Sequence, residues 1–338
     1  MKKNKRMLEL KITLPGEDLE IFCSLNGTSP LNPDACVEQN ADLHLISFEK
    51  GKIAARCSLW WNSPPLHEGK PTGLVGHYAA ANPEAGLFLL EHACRELRNR
   101  GCQIIIGPMD GSTWHSYRLI TEKGTEPQFF LEIDHPADWP EHFFKAGFSS
   151  AATYYSTLNR NLSGENQISD PPQGIRIRPL FFEKFQEELK KIYTLSIESF
   201  KENFLYSPIS QENFFSLYLP VKNMLNPDLI LFAEEENGGK LAGFIFAIPD
   251  FFEKKRGGKI KTVILKSTAV HPNWRGKGLG NFLLAACQDV GFKLGYTRAI
   301  HAYMHEKNRS LKISARLFGS NLEPLRRYTL FAKDISHL

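Results

Sequence analysis

One polar stretch constrains this chain more than any other feature. Positions 159–174, NRNLSGENQISDPPQG, carry Pro171-Pro172 and no apolar period, which marks a linker. It cuts the 338 residues nearly in half, and that length exceeds what a single core usually serves. The same order of elements stands on either side. After it come a short strand (175–180), a helix with Phe185, Leu189, Ile192, Ser196 and Phe200 on one face, and a second short helix (211–219). A hairpin (229–235 and 241–248) and a third strand (261–270) follow. A glycine loop then opens a helix striped by Leu279, Phe282, Leu283, Ala286, Cys287, Val290 and Leu294; strand 298–304, helix 308–318 and strand 327–332 complete the half.

Before the linker the order recurs. A hairpin (43–48 and 53–60) leads to a strand (74–81) and a helix (84–98) with Leu87, Leu90, Ala93, Cys94 and Leu97 inward. Strand 103–107, helix 139–146 and strand 152–158 close that half. The helix after the third strand starts near 84 and 278 and the next strand near 103 and 298, offsets of 194 and 195. Matching offsets indicate two copies of one α+β unit, a mixed sheet flanked by helices. The expected units are 1–160 and 175–338, joined by 161–174.

The chemistry concentrates in STAVHPNWRGKGLG, positions 267–280, which runs from a strand straight into an amphipathic helix. Glycines let the backbone turn sharply and approach a ligand. The first N–H groups of a helix lack intrahelical partners and carry the positive end of the dipole, a seat for phosphate. A Walker loop needs Gly-Lys followed by Ser or Thr, but Lys277 is followed by Gly278. A dinucleotide fingerprint needs glycine at 281, which is Asn281.

What remains, R-x-x-G-x-G after V-H-P, resembles motif A of the GCN5-related N-acetyltransferase (GNAT) superfamily. The order of elements over 175–332 is similar to that fold. The resemblance implies that acetyl-CoA is the acyl donor, its pyrophosphate held by Arg275, Gly276, Lys277, Gly278, Leu279 and Gly280, and its pantetheine by the backbone of Ala269 and Val270 and by Asn308. Asn308 is equally placed to be a helix N-cap. The family's thiolate-protonating Tyr would fall at Ala315, and the carboxylate it often carries on the fourth strand has no counterpart in 263–270.

The first half looks like the same fold with a degenerate loop: Ala81-Asn-Pro-Glu-Ala-Gly86 places a proline and an anion where phosphate would sit. The whole resembles bacterial tandem-GNAT proteins, as does the segment GPMDGSTWHSYR. That segment opens an insertion, 108–140, which mixes Asp110, Trp114, His115, Tyr117 and Arg118 with Phe129 and Phe130. Two readings stand: a binding loop, or an Asp-Gly turn with aromatics packed between domains.

For the proton that an alkylammonium must lose, strand 298–304 and its end offer His301, Tyr303 and His305, expected to alternate onto one face. His305 is nearest Asn308 and is the leading base candidate. Tyr303 and, from the facing half, His115 follow, with Tyr117 behind. His271 belongs to the turn of the V-H-P motif.

Composition narrows the alternatives. A net charge of +4 suits an anionic ligand and is thin for nucleic acid. Lys2, Lys3, Lys5 and Arg6 precede Glu9 and Lys11, not an apolar run, and the longest stretch free of Asp, Glu, Lys and Arg is 14 residues, 146–159. Six scattered cysteines without a C-x-x-C pair suit reduced thiols in a cytoplasm, not a disulfide framework or a zinc site. The expectation is a cytoplasmic N-acetyltransferase for a small-molecule amine, with no metal, nucleic-acid or membrane partner; the oligomeric state is left open. The alternatives are a long-chain acyl or aminoacyl transferase, left room by 24 Phe, 10 Tyr and 5 Trp, and a non-catalytic CoA sensor.

Overall fold

Period-2 and period-3.6 patterning puts most elements where the sequence reads them. The computed structural model describes residues 7–25, 31–163, 170–307 and 322–337. The first half runs β1 (Leu8–Thr13), α1 (Leu19–Cys23), α2 (Pro33–Glu38), β2 (Leu43–Glu49), β3 (Lys52–Trp60), β4 (Thr72–Ala80), α3 (Pro83–Asn99), β5 (Ile104–Gly107), β6 (Leu119–Glu122), α4 (Trp139–Lys145) and β7 (Ser149–Asn159). The second runs β8 (Ile175–Pro179), α5 (Phe185–Phe200), α6 (Gln211–Tyr218), β9 (Ile230–Glu235), β10 (Leu241–Pro249), α7 (Phe251–Lys255), β11 (Thr262–Val270), α8 (Leu279–Lys293), β12 (Arg298–His305) and β13 (Leu322–Asp334). The expected helix 308–318 lies outside the described residues.

The strands form one 13-stranded mixed sheet, ordered β1-β2-β3-β4-β5-β13-β7-β12-β11-β10-β9-β8, with β6 beside β13. Helices cover both faces, so β4 and β10 are buried along their whole length; β10 reads as a continuous apolar run and β4 as one interrupted by Thr72 and His77. α3 buries Leu89, Leu90, Ala93 and Leu97 on one face of the first half; α8 does the same with Leu279, Leu283 and Cys287 in the second. α5 and α6 take the opposite face, over Phe232, Phe244 and Ile264.

The halves trade their last strands. β7, from the first half, lies against β12, with Thr157 opposite His301. β13, from the second, lies against β5, with Phe331 opposite Gly107. The two exchanged strands pair along most of their length, Tyr328 opposite Tyr154, so no sheet edge exists at the midline. A cut of the chain between 160 and 175 therefore separates strands that lie side by side.

The 108–140 insertion also crosses the midline. β6 pairs with β13, Phe129 is buried in the second half's core, and the Phe130 ring meets Phe251 and Phe252 edge-on at 5.3 and 5.5 Å. Asp250 accepts the Phe130 N–H at 2.8 Å, and Trp114 Nε1 donates to the Ser207 carbonyl at 2.8 Å. Of the two readings for this segment, the packing one describes most of its length.

Candidate active site

β11 and β12 are parallel and pair only from Thr262–Arg298 to Leu265–His301. Beyond that vertex they part, while β10 still backs the free end of β11, Phe244 opposite Ala269 and Gly243 opposite Val270. The opening is where backbone groups of Ala269 and Val270 face a neighbour they do not bond. Lys266 stands at the vertex, in a bulge between β10 and β11; burial holds its ammonium below the usual lysine value, although its side chain still reaches solvent. Sequence reading passed over it, and the available signal was a lone lysine inside an apolar core strand.

The loop after β11 delivers the chain into α8 with bare donors. Gly278 is the N-cap, at φ 84°, and no side chain caps the helix. Gly276 has φ 80°; a Cβ at either position meets nothing within 4 Å. The glycines are thus required by backbone conformation, not by lack of space. Gly280 lies against Val270, 3.6 Å from a built Cβ to Cγ2, and Leu279 is buried beneath. Arg275 does not point at the helix end: it bonds Glu202 Oε2 at 2.6 Å and the Ser199 carbonyl at 2.8 Å, pinning the loop to the end of α5. Lys277 sits over the Trp274 ring at 4.6 Å, leaving its ammonium exposed beside the uncapped N–H groups.

The first half contains the same vertex, closed. β4 and β5 are the other parallel pair among the described strands, and their pairing stops at Leu74–Ile106. Met109 N–H then donates to the Val75 carbonyl at 2.9 Å, and Asp110 accepts the His77 N–H at 2.6 Å, so the insertion fills the gap. α3 is capped conventionally, Asn82 accepting the Ala85 N–H at 2.9 Å with Pro83 in the first turn.

The three histidine-strand candidates do not share a face. Tyr303 has φ 58°, and the β7–β12 register shifts between His301 and Met304, a bulge that breaks the alternation. His301 is turned to α8, against Gln288 at 3.1 Å, with burial holding its pKa down near about 4. Tyr303 and His305 take the opposite face. The Tyr303 hydroxyl donates to the Leu131 carbonyl at 3.1 Å and accepts the Ile133 N–H at 3.3 Å, and burial raises its pKa; it clamps the insertion. His305 lies edge-on to Tyr154 at 4.9 Å and near Phe204 at 5.9 Å. Lys307 N–H donates to its Nδ1 at 3.1 Å, so the neutral ring carries its proton on Nε2. Burial, with Lys307 and Arg118 beside it and against Glu306, lowers its pKa. In this tautomer His305 offers Nε2–H, with Nδ1 occupied by the Lys307 N–H. His115 lies in the first half beside Asp110; burial lowers its pKa against the pull of Asp110. Asn308 and Ala315 lie outside the described residues.

A groove of about 610 Å³ starts next to His305, lined by His67, Ile104, Ser150, Phe204, Leu205 and Lys307. It runs along the midline between the halves. No helix among the described residues is long and apolar enough to cross a membrane.

Residues 189–319 match the acetyltransferase (GNAT) family. A crystal structure of a GCN5-related N-acetyltransferase from Sphaerobacter thermophilus superposes with a TM-score of 0.53 at 14% identity, covering 97% of this chain and 96% of that one. A tandem GNAT protein from the clavulanic acid biosynthesis pathway superposes with a TM-score of 0.52 at 15% identity, covering 97% and 98%. A bacterial ceramide synthase of Caulobacter vibrioides is 20% identical over 309 residues, 82% of this chain and 79% of the relative. The open strand vertex and the uncapped glycine-led helix both fall within the 189–319 match to the acetyltransferase (GNAT) family, and the chain as a whole has the fold of a tandem GNAT protein.

Proposed function

We propose that the chain transfers acetyl from acetyl-CoA to a small-molecule amine, using the second half for the donor and the midline groove for the acceptor. One observation carries this: of the two parallel vertices among the described residues, only that of β11 and β12 is left unfilled by them and continues into a helix with bare N–H groups. The residues fit an acyl-CoA. Gly276, Lys277, Gly278, Leu279 and Gly280 offer donors and a cation to a pyrophosphate, and Ala269 and Val270 offer edge backbone to a pantetheine arm. The bound thioester supplies the acyl group. Arg275 positions the loop through Glu202 and Ser199, a different task from phosphate contact. His305 presents Nε2–H as a hydrogen-bond donor to the developing charge on the thioester sulfur or carbonyl oxygen, and the proton lost by the amine passes to solvent. The rate advantage rests mainly on holding amine and thioester together. The first half, with Met109 and Asp110 in its vertex and Asn82 on its helix, acts as a degenerate copy that builds the groove wall. Units 1–160 and 175–338 are the working division, with their last strands exchanged, and six free cysteines suit the cytoplasm.

A longer acyl chain is the second reading. It is favoured by the relative named as a ceramide synthase, since a ceramide is itself a fatty amide, and by Phe200, Phe204, Tyr206 and Phe214 around the α5–α6 connection. Calorimetry with acetyl-CoA and longer acyl-CoAs, followed by thiol release over an amine panel, tests both. Binding of acetyl-CoA with thiol release supports acetyl transfer; release from long-chain donors alone selects the second reading. No binding of any acyl-CoA refutes the proposal.

A further inference from the structure

A buried cation sits beside His305 without a counter-ion among the described residues. Arg118, in the insertion, is 9% exposed. Its Nε and Nη1 atoms are buried and make no hydrogen bond, and no carboxylate among the described residues forms an ion pair with it. Four tyrosine rings surround the guanidinium: Tyr117 at 3.9 Å, Tyr154 and Tyr303 at 4.3 Å, and Tyr328 at 5.9 Å. Its backbone is held at φ 74°, a conformation that non-glycine residues seldom adopt, with its N–H on the Pro108 carbonyl at 2.9 Å. These tyrosines come from four separate segments: the insertion, β7, β12 and β13. The fold thus brings both halves and both exchanged strands to bear on one guanidinium.

Ring faces attract a cation but leave its N–H groups unsatisfied. A buried charge is otherwise expensive unless paired. Two of the other three buried arginines are paired with carboxylates. Arg178 is bonded to Glu188 and Glu234, and Arg326 reaches Glu132 and the carbonyls of Glu126 and Pro127. Arg56 has no carboxylate either but bonds the His77 carbonyl at 2.6 Å, so Arg118 alone of the four buried arginines makes no side-chain hydrogen bond among the described residues; the Tyr154 ring contacts both it and His305. A planar fork with open donors matches the two oxygens of a carboxylate or phosphate.

We propose that Arg118 binds an anionic oxyacid group, a carboxylate or a phosphate, carried by the acyl acceptor, and so selects amino acids or amino phosphates over plain amines. This rests on the acyl-transfer reading above.

The test compares glycine, β-alanine and O-phosphoethanolamine with glycinamide, β-alaninamide and ethanolamine, following thiol release from acetyl-CoA. In the wild-type protein kcat/KM should favour the anionic member of a pair by about 10- to 100-fold, mostly through KM. In Arg118→Gln the ratio should fall towards one; because it is a ratio within one protein, a general loss of activity cancels. Arg118→Lys keeps the charge among the tyrosines and guards against misfolding; it should retain a smaller preference. Equal use of charged and neutral acceptors by the wild type overturns the proposal without any variant. So does a preference that follows the donor, succinyl-CoA over acetyl-CoA with neutral amines. If no amine releases thiol, the acyl-transfer reading fails, and calorimetry with N-acetylglycine and N-acetylglycinamide in the presence of CoA decides Arg118 by itself. Binding of the acid that is lost in Arg118→Gln upholds the anion site; no binding, or equal binding of acid and amide, overturns it.

Discussion

Gly278→Asp separates the fold of the loop from its ligand chemistry. Gly278 has φ 84° and caps α8 with no side chain. Placing a non-glycine residue in that left-handed region costs roughly 1–2 kcal/mol, and Asp is among the residues that visit it most readily. An Asp at an N-cap also satisfies a bare N–H, returning about 1 kcal/mol. A built Cβ meets nothing within 4 Å, so no clash adds to this. The net change in stability is therefore small, within about 1 kcal/mol of wild type. Binding differs. A carboxylate about 4 Å from a phosphate is repelled by about 4 kcal/mol at an effective dielectric near 20, less with salt. The expected loss is about 2–4 kcal/mol, or roughly 30- to 1,000-fold in Kd for acetyl-CoA. Calorimetry gives the Kd and a thermal melt gives the stability. Gly278→Asn is the control, sharing shape and strain without charge, and it should lose much less. A folded Gly278→Asp protein that binds acetyl-CoA as tightly as wild type refutes the placement of the pyrophosphate.

Gly76→Ala should destabilise by about 2–4 kcal/mol, because a Cβ there would sit 2.2 Å from the Met109 carbonyl oxygen and push the plug out of the first vertex; a urea midpoint unchanged from wild type contradicts the plug. Acid should weaken the fold. Burial holds His44, His77 and His301 at about 4, about 3 and about 4, below the unfolded value of roughly 6.5. The unfolded chain then takes up more protons below about pH 6.5, so stability present above that pH is lost on acidification, by up to about 1.4 kcal/mol per pH step for each histidine. Urea midpoints flat between about pH 7 and about pH 4.5 would contradict this. His305→Ala should keep acetyl-CoA affinity and lower thiol release by about 10- to 1,000-fold; turnover at the wild-type rate removes the donor role. Deleting 322–338 should abolish cooperative unfolding of both halves, since β5 and β7 each lose a partner; a protease-resistant first half would contradict it.

The elements that sequence made visible are those whose partners are local. The hairpins β2–β3 and β9–β10 and the helices α3, α5 and α8 announce themselves through turns and apolar stripes. The strand β1 alternates as a half-buried strand should, yet Glu9 and Lys11 in LELKIT were read only as breaking an apolar run and no strand was assigned there. α1 spans five residues, too short for a helical period. The glycine loop was legible because glycine at left-handed φ has few substitutes. The Tyr303 bulge was not, because no glycine or proline marks it, and it reversed the face assigned to His301. Arg275 looked like a phosphate ligand because its charge is local, whereas its partners Glu202 and Ser199 lie more than 70 positions away. The exchange of β7 and β13 left no trace either: each strand's pattern records that it is buried, not which half covers it.

That exchange orders events during synthesis. A chain emerging from the ribosome normally closes its first domain before the second is made. Here β5 waits for β13, which is translated after all the rest of the second half. Until then the first half has an open strand edge next to β5, and a nascent chain of this kind offers that edge to any other β-strand nearby. The first half can complete its sheet only after the second half has passed through the tunnel.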